Sequence, residues 1–507
     1  MTFFESLLAL LLAAVVLLQV ARRLSLPYPS LLALAGVGVA LVPGAPTITI
    51  DPPTALALFI APVLLDAAFD FPISAARKLW RPLFVLAVGA VVVTAGAVAW
   101  VGWAFAGLPI AAALVLGAIV APPDAAATTA VLGTVALPRS TTAVLRGESL
   151  FNDATALLLF SVALAIQNAG GLGAAHGLQL TLAAPGGLVL GIVLGLIMRR
   201  VHRSVSGTLG DSLLQFLSAF IVWILAERLH LSAVLAVVAF AMTLARSAER
   251  RGDARERVHS FAVWSTVVFV LNVLAFLLMG MQARVIVARM SPERFGDAAV
   301  IVALVIVAIT ATRFVVVMSW NQIAQHWDWA RGDLPAPTPA QGLLVSWSGV
   351  RGLLTMATAF ALPRDFPQRD VVVLTAFGVV LATLVIQGLT LKPVIRLLGL
   401  HRMENPDREL SDARRRLAEA GAGALDAAAG READLLRHAY ALERGAGSGW
   451  NRYRKLGLLA VGAERTTLDA MREAHEIGQD SFLALQEAID WRELTLLPDT
   501  DRQIEEN

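Results

Sequence analysis

Residues 147–160 read GESLFNDATALLLF. Two acids and an amide stand at the front of a run that would otherwise dissolve in lipid. An ionised side chain at the centre of a bilayer costs at least about 2.5 kcal/mol, so Asp153 needs either a partner or a task. The rest of the chain makes the lipid setting clear. Of its 507 residues, 57% are hydrophobic and 16% charged, against about 25% charged in ordinary soluble domains. Mean hydropathy is +0.68. These values place the chain among helical proteins that cross a membrane several times.

Composition excludes several functions. There is no cysteine, which rules out disulfides, thiolate nucleophiles and cysteine-ligated metal centres. The eight histidines are scattered, with no HExxH pattern, and the formal charge of +2 is too small and too dispersed for a nucleic-acid binder. No enzyme motif and no cofactor site is found. The opening MTFFESLLALLLAAVVLLQVARR has an acid and no base ahead of its apolar run, which reads as a first membrane helix and not as a cleaved leader.

Apolar runs of membrane-crossing length, bounded by Pro, Gly or charge, predict thirteen helices. They lie near 3–21, 28–43, 52–69, 80–106, 109–133, 142–168, 180–201, 211–229, 231–247, 258–281, 297–320, 341–362 and 369–398. Alternate loops collect sixteen Lys and Arg against six in the other set. By the positive-inside rule this puts the N-terminus outside and the C-terminus in the cytoplasm of a cell-membrane protein. Residues 324–341 read as a Pro-rich linker, and residues 404–507 as a cytoplasmic tail of three or four amphipathic helices following a transmembrane domain over 1–403.

An offset of seven helices relates helices 1–6 to 8–13 in opposite orientations, the inverted-repeat plan of many secondary transporters. The symmetry-related fifth and twelfth helices both carry breaker-rich centres, APPDAAATTA and SWSGVRGLL. Paired interrupted helices mark a site near the membrane midplane.

Depth points to the same place. At 1.5 Å per residue, Asp124, Asp153 and Arg351 all lie roughly 15 Å from the cytoplasmic ends of their helices. Glu148 and Asn152 are four apart on the sixth helix, as are Ser149 and Asp153, so one face offers a set of hard oxygens suited to a small cation. Arg351 is expected to neutralise Glu148, leaving Asp153 and Asp124 for the cation. The Pro122-Pro123 pair should free backbone carbonyls as further ligands. Ser149 and Thr155 are alternatively read as bonding back to their own helix. Asp66 is either the acid of a cytoplasmic funnel or an interfacial charge, and Arg313 is read as snorkelling or pairing locally.

Four motifs in this order, LLDAAFDFP, GAIVAPPDAAA, RGESLFNDATA and WSGVRGLLTMATAFALP, resemble the sodium/proton exchangers of the first monovalent cation:proton antiporter group. The resemblance spans roughly residues 5–400. It implies that Asp153 carries the cation and the proton beside Asn152, with Asp124 and Ser149 as further site residues. It further implies a Glu148–Arg351 ion pair and Asp66 as the acid of the third-helix motif. It implies homodimers with a dimerisation domain and a mobile core built on two crossed, interrupted helices. The Asn-Asp pair implies electroneutral one-for-one exchange. Many relatives have Thr-Asp-Pro where this chain has Pro123-Asp124-Ala125, so that threonine is absent.

The expected function is therefore antiport of protons against monovalent cations, sodium and alternatively lithium or potassium, with the two competing for Asp153 and a core that alternates its access. A cation channel, or an ion or pH sensor signalling through the tail, is the competing reading. The chain lacks a filter-like loop, and acids paired with an arginine suit a carrier better than a pore.

Overall fold

The computed structural model describes residues 3–24, 27–41, 52–71, 73–124, 139–169, 174–205, 208–251, 254–282, 292–331, 335–400, 406–445, 448–474, 476 and 479–498. Regular structure among them is entirely helical. The chain divides into two compact units, Met1–Met403 and Glu404–Glu506.

The first unit contains α1 (Phe3–Leu24), α2 (Tyr28–Leu41), α3 (Pro52–Phe69), α4 (Trp80–Ala106), α5 (Ile110–Val120), α6 (Arg139–Ala169) and α7 (Ala174–Val205). It continues with α8 (Leu209–Arg228), α9 (Ala233–Arg251), α10 (Ala254–Met281), α11 (Pro292–His326), α12 (Pro339–Trp347), α13 (Leu353–Phe360) and α14 (Arg369–Leu397). Seven of these, α4, α6, α7, α8, α10, α11 and α14, contain stretches long and apolar enough to cross a membrane, and shorter apolar helices accompany them.

Local chemistry sets the ends. Gly107, at φ 62°, terminates α4, its N–H returning to the Gly102 carbonyl; a left-handed residue at that point is the usual helix stop. Within α4, Val85–Ala90 is wound as a π-helix. α12 opens on a capping box in which Thr338 and Gln341 satisfy each other's backbone N–H groups, with Pro339 at the first turn. The expected Pro-rich linker over 324–341 is consequently shorter. α11 continues to His326, a turn of helix covers Asp328–Arg331, and α12 begins at Pro339.

α7 packs on α9, α2 on α10, and α4 on α5. One apolar core gathers Leu32, Leu116, Phe276, Ile309 and Leu384 from α2, α5, α10, α11 and α14. A second gathers Leu64, Leu150, Trp223 and Phe240 from α3, α6, α8 and α9. On α7, Val189, Ile192, Val193, Leu196 and Ile197 are exposed, an outward apolar stripe that suits a lipid solvent.

The second unit holds α15 (Pro406–Gly423), α16 (Arg431–Gly445), α17 (Ser448–Glu473) and α18 (Gln479–Leu496). Val461, Leu468, Phe482 and Ile489 form its core between α17 and α18. Arg465 reaches Asp490 at 2.7 Å, and Arg492 reaches Glu464 at 2.7 Å.

Candidate functional site

The C-terminal end of α5 and the break between α12 and α13 supply the frame. Pro122 and Pro123 have no N–H to continue α5, so the helix stops at Val120 and its last carbonyls lack partners within the helix. The region expected to extend that helix to 133 lies outside the described residues beyond Asp124. Between α12 and α13, residues 348–352 are not helical, which leaves the first N–H groups of α13 to be satisfied from elsewhere.

Each break is completed by a charged side chain from the other. Arg351, 1% exposed, donates through Nε to the Val120 carbonyl at 3.1 Å and through Nη2 to Ala121 at 3.2 Å. Its Nη1 donates to the Gly349 carbonyl, and its backbone N–H donates to Thr383 Oγ1 at 3.0 Å. In return, Asp124 Oδ2 accepts the N–H of Leu353, the first residue of α13, at 2.9 Å, and the Asp124 N–H donates to the Val350 carbonyl at 2.7 Å. A cation thus sits on a helix C-terminus and an anion on a helix N-terminus, the favourable end of the dipole in both cases. The crossing leaves no room at Gly352, where an added Cβ would lie 1.7 Å from Asp124 Oδ2.

α6 presents the remaining groups. Asn152, 0% exposed, donates through Nδ2 to the Pro123 carbonyl at 3.1 Å, and Ser149 Oγ reaches the same oxygen at 3.5 Å. The carbonyl freed by the proline pair is therefore engaged by side chains of α6. Ser149 bonds across to the break instead of back to its own helix, whereas Thr155 does bond back, to the Phe151 carbonyl at 3.3 Å. Asn152 Oδ1 is buried and accepts nothing among the described residues; an unpaired acceptor of this kind costs about 1–3 kcal/mol. Next to it, Asp153 is partly accessible, and among the described residues its carboxylate accepts no hydrogen bond. It lies near enough to Asp124 for the two charges to interact.

The expected Glu148–Arg351 pair is replaced by another. Glu148, 1% exposed, is held by Arg313 of α11, with Nη1 at 2.5 Å from Oε1 and Nη2 at 3.0 Å from Oε2. Arg313 Nε also donates to the Val345 carbonyl near the end of α12, at 3.1 Å. The physical reason is that the Arg351 guanidinium is occupied by backbone carbonyls, while Arg313 offers the two-pronged geometry that a carboxylate prefers. Reading Arg313 as a snorkelling or locally paired residue missed this role. It stands thirteen residues from the nearer end of α11, roughly 20 Å along the axis, which is beyond the reach of a side chain. The sequence alone ends the apolar run near residue 320, only seven residues on, so this distance emerges only with the longer helix of the structure. Asp66 lies in the last turn of α3, partly buried, with its backbone carbonyl accepting the Asp70 N–H at 3.1 Å.

A helix end and a helix break, each met by a charged side chain inside an apolar unit whose described elements are all helical, suit a secondary transporter. The family model described as "Sodium/hydrogen exchanger, transmembrane" matches residues 8–397, and the chain belongs to that family. It is a multi-pass membrane protein of a group that exchanges sodium and protons.

Among its relatives, an uncharacterized Na(+)/H(+) exchanger of Mycobacterium tuberculosis is 29% identical over 528 residues, covering 98% of this chain and 96% of the relative. The "Sodium, potassium, lithium and rubidium/H(+) antiporter" of Bacillus pumilus is 30% identical over 385 residues, 72% of this chain and 57% of that protein. The solved structure of the sodium proton antiporter MjNhaP1 from Methanocaldococcus jannaschii at pH 8 shares the fold. Its TM-score is 0.62 at 18% identity, covering 79% of this chain and 100% of that one.

Proposed function

We propose that the chain exchanges protons for monovalent cations, with sodium as the principal substrate and lithium or potassium as further ones, one for one and without net charge movement. The observation that carries this reading is a contrast within the cluster. Glu148, Arg313, Arg351 and Asp124 are all engaged with one another's helices or with backbone groups. Among the described residues Asp153 keeps an uncommitted carboxylate, and Asn152 an uncommitted oxygen, side by side on α6.

A carboxylate that is both charged and empty at membrane depth is costly, and either a proton or a cation neutralises it. Asp153 takes one or the other. Asn152 Oδ1 and, on the facing break, Asp124 supply further oxygen when the occupant is the cation. Glu148 and Arg313 hold α6 against α11, and Arg351 holds the end of α5. If the core changes its access only when Asp153 is neutralised, strict exchange follows from the charge cost alone.

In this reading residues 1–403 form the antiporter domain, with thirteen spans in two inverted six-helix repeats, and pair into homodimers in the cell membrane. The N-terminus lies outside, residues 404–507 form a cytoplasmic tail, and Asp66 marks an inner funnel. The Bacillus pumilus relative, named for four alkali cations, supports a site selective for monovalent ions as a class.

The test is proton flux in proteoliposomes on adding sodium, lithium, potassium or rubidium in turn. Asp153→Asn should lose cation-dependent proton movement for every ion. Exchange retained in that variant would remove Asp153 from the carrier role.

A further inference from the structure

The second unit has a face that ion exchange does not use. Residues 404–507 contain 21 Asp and Glu against 14 Lys and Arg, yet the stretch 448–463, SGWNRYRKLGLLAVGA, contains three cations and no acid. Helical spacing places Arg452, Lys455, Leu456 and Leu459 on one side of α17. All four are exposed, Leu456 at 58% and Leu459 at 75%. Tyr453 borders the face and stacks on Trp450 with ring centroids 5.4 Å apart. The opposite side of the helix is committed: Val461 and Leu468 enter the core with Phe482 and Ile489, and Arg454 Nε donates to the Leu496 carbonyl at 2.5 Å.

One exposed leucine needs no explanation. Two, preceded at four-residue spacing by two cations and bordered by a Trp–Tyr pair, have the composition of a helix that lies in a membrane interface. Charge selects among possible occupants. A second copy of this chain meeting the face about a two-fold axis would set Arg452 and Lys455 against themselves. Anionic phospholipid offers phosphate to the cations and an acyl boundary to the leucines. Elsewhere in the unit acids outnumber bases, 21 to 11, which favours this acid-free stretch over the acid-rich faces at such a surface.

Covalent linkage raises the encounter rate. Eight residues, 398–405, separate α14 from α15, and even fully extended they span at most roughly 28 Å. Docking of a unit carried on the same chain as the membrane helices is an intramolecular event.

We propose that the N-terminal half of α17 docks on an anionic phospholipid surface. Arg452 and Lys455 engage headgroup phosphates, and Leu456 and Leu459 enter the acyl boundary beside Tyr453. This inference rests on the membrane-embedded character of the first unit and is independent of the exchange chemistry.

The absence of native cysteine allows a clean test on the full chain. Leu459→Cys is labelled with an environment-sensitive fluorophore, and the protein is placed in nanodiscs of phosphatidylcholine alone or mixed with phosphatidylglycerol, each doped with a lipid carrying a quencher high in its acyl chain. Strong quenching is expected only in the anionic discs, and not from Ala441→Cys, an exposed position on α16. Adding R452Q and K455Q, which removes two surface cations, should lower the docked-to-free ratio by about 30-fold.

Absence of quenching at position 459 in anionic discs overturns the proposal, as does equal quenching in both lipids. Energy transfer between labels without lipid quenching overturns it in favour of a second copy of the chain. Both leaflets of a nanodisc are exposed, so the readout requires neither transport nor a given orientation. Failure of cation exchange in proteoliposomes alongside lipid-selective quenching would count against the exchange reading alone.

Discussion

Arg313 grips both carboxylate oxygens of Glu148, at 2.5 and 3.0 Å, across 165 positions of sequence. Both side chains are almost completely buried. Breaking a buried pair by removing one partner typically costs about 3–5 kcal/mol, because the survivor is left charged without compensation. Replacing both with uncharged residues is far milder. Arg313→Met and Glu148→Gln should therefore each lower the thermal midpoint of the detergent-solubilised protein sharply, and the double variant should recover much of the loss. Additive losses in the double variant would show that the two side chains are not energetically coupled.

Gly352 and Asp124 define a second dependence. A methyl group at position 352 would overlap Asp124 Oδ2, displacing the acceptor for the Leu353 N–H. Loss of a side-chain acceptor at a helix start costs about 1 kcal/mol, and the overlap adds to it. The expected order of destabilisation is Gly352→Ala above Asp124→Ala above Asp124→Asn, since asparagine retains an oxygen able to accept the same N–H. Thermal unfolding of the three variants checks the order. Equal stability of Gly352→Ala and wild type would mean that the crossing is looser than the hydrogen bonds indicate.

These two relationships also mark where reading the sequence succeeds and where it stops. The end of α4 is legible because Gly107 stands at the boundary, and the interruptions near Asp124 and Arg351 are legible because Pro122-Pro123 and the Ser348–Gly352 stretch are local breakers. The identity of the arginine facing Glu148 is not legible. Two arginines on different helices compete for it, and helix rotation, which depends on packing, decides between them. The engagement of Arg351 with the Val120 and Ala121 carbonyls is likewise a tertiary fact, although the proline pair shows that those carbonyls need a donor. The proline pair also explains why α5 stops at Val120, short of the full span that its hydropathy suggests.

Asn152 makes the exchange stoichiometry testable. Its Nδ2 is bonded to Pro123 while its Oδ1 has no partner among the described residues, so Asn152→Ala removes a contact to the break and a candidate cation ligand together. The cation concentration for half-maximal exchange should rise by roughly tenfold, the equivalent of one lost hydrogen bond to a charged group. Asn152→Asp adds a second carboxylate to the occupied site. If wild-type exchange moves no net charge, its rate is indifferent to an imposed membrane potential, whereas the Asp variant should respond to one. A potential-dependent wild type would count against one-for-one exchange.

The proposed competition at Asp153 would also fix the sign of the pH response. A proton and a cation exclude one another from the same carboxylate, so acidification weakens apparent cation affinity without altering the saturated rate. In the range where Asp153 is mostly protonated, each pH unit downward should raise the half-saturating cation concentration about tenfold, as a single competing proton requires. Flux measured against sodium concentration at several pH values distinguishes this from control elsewhere. A constant half-saturating concentration with a falling maximal rate would place the proton's effect at a separate site. Repeating the series on a chain ending at residue 403 then asks whether that site lies in the second unit. The proposed competition at Asp153 is expected to survive the truncation, because the hydrogen bonds described for the α5–α6–α13 cluster are made within the first unit.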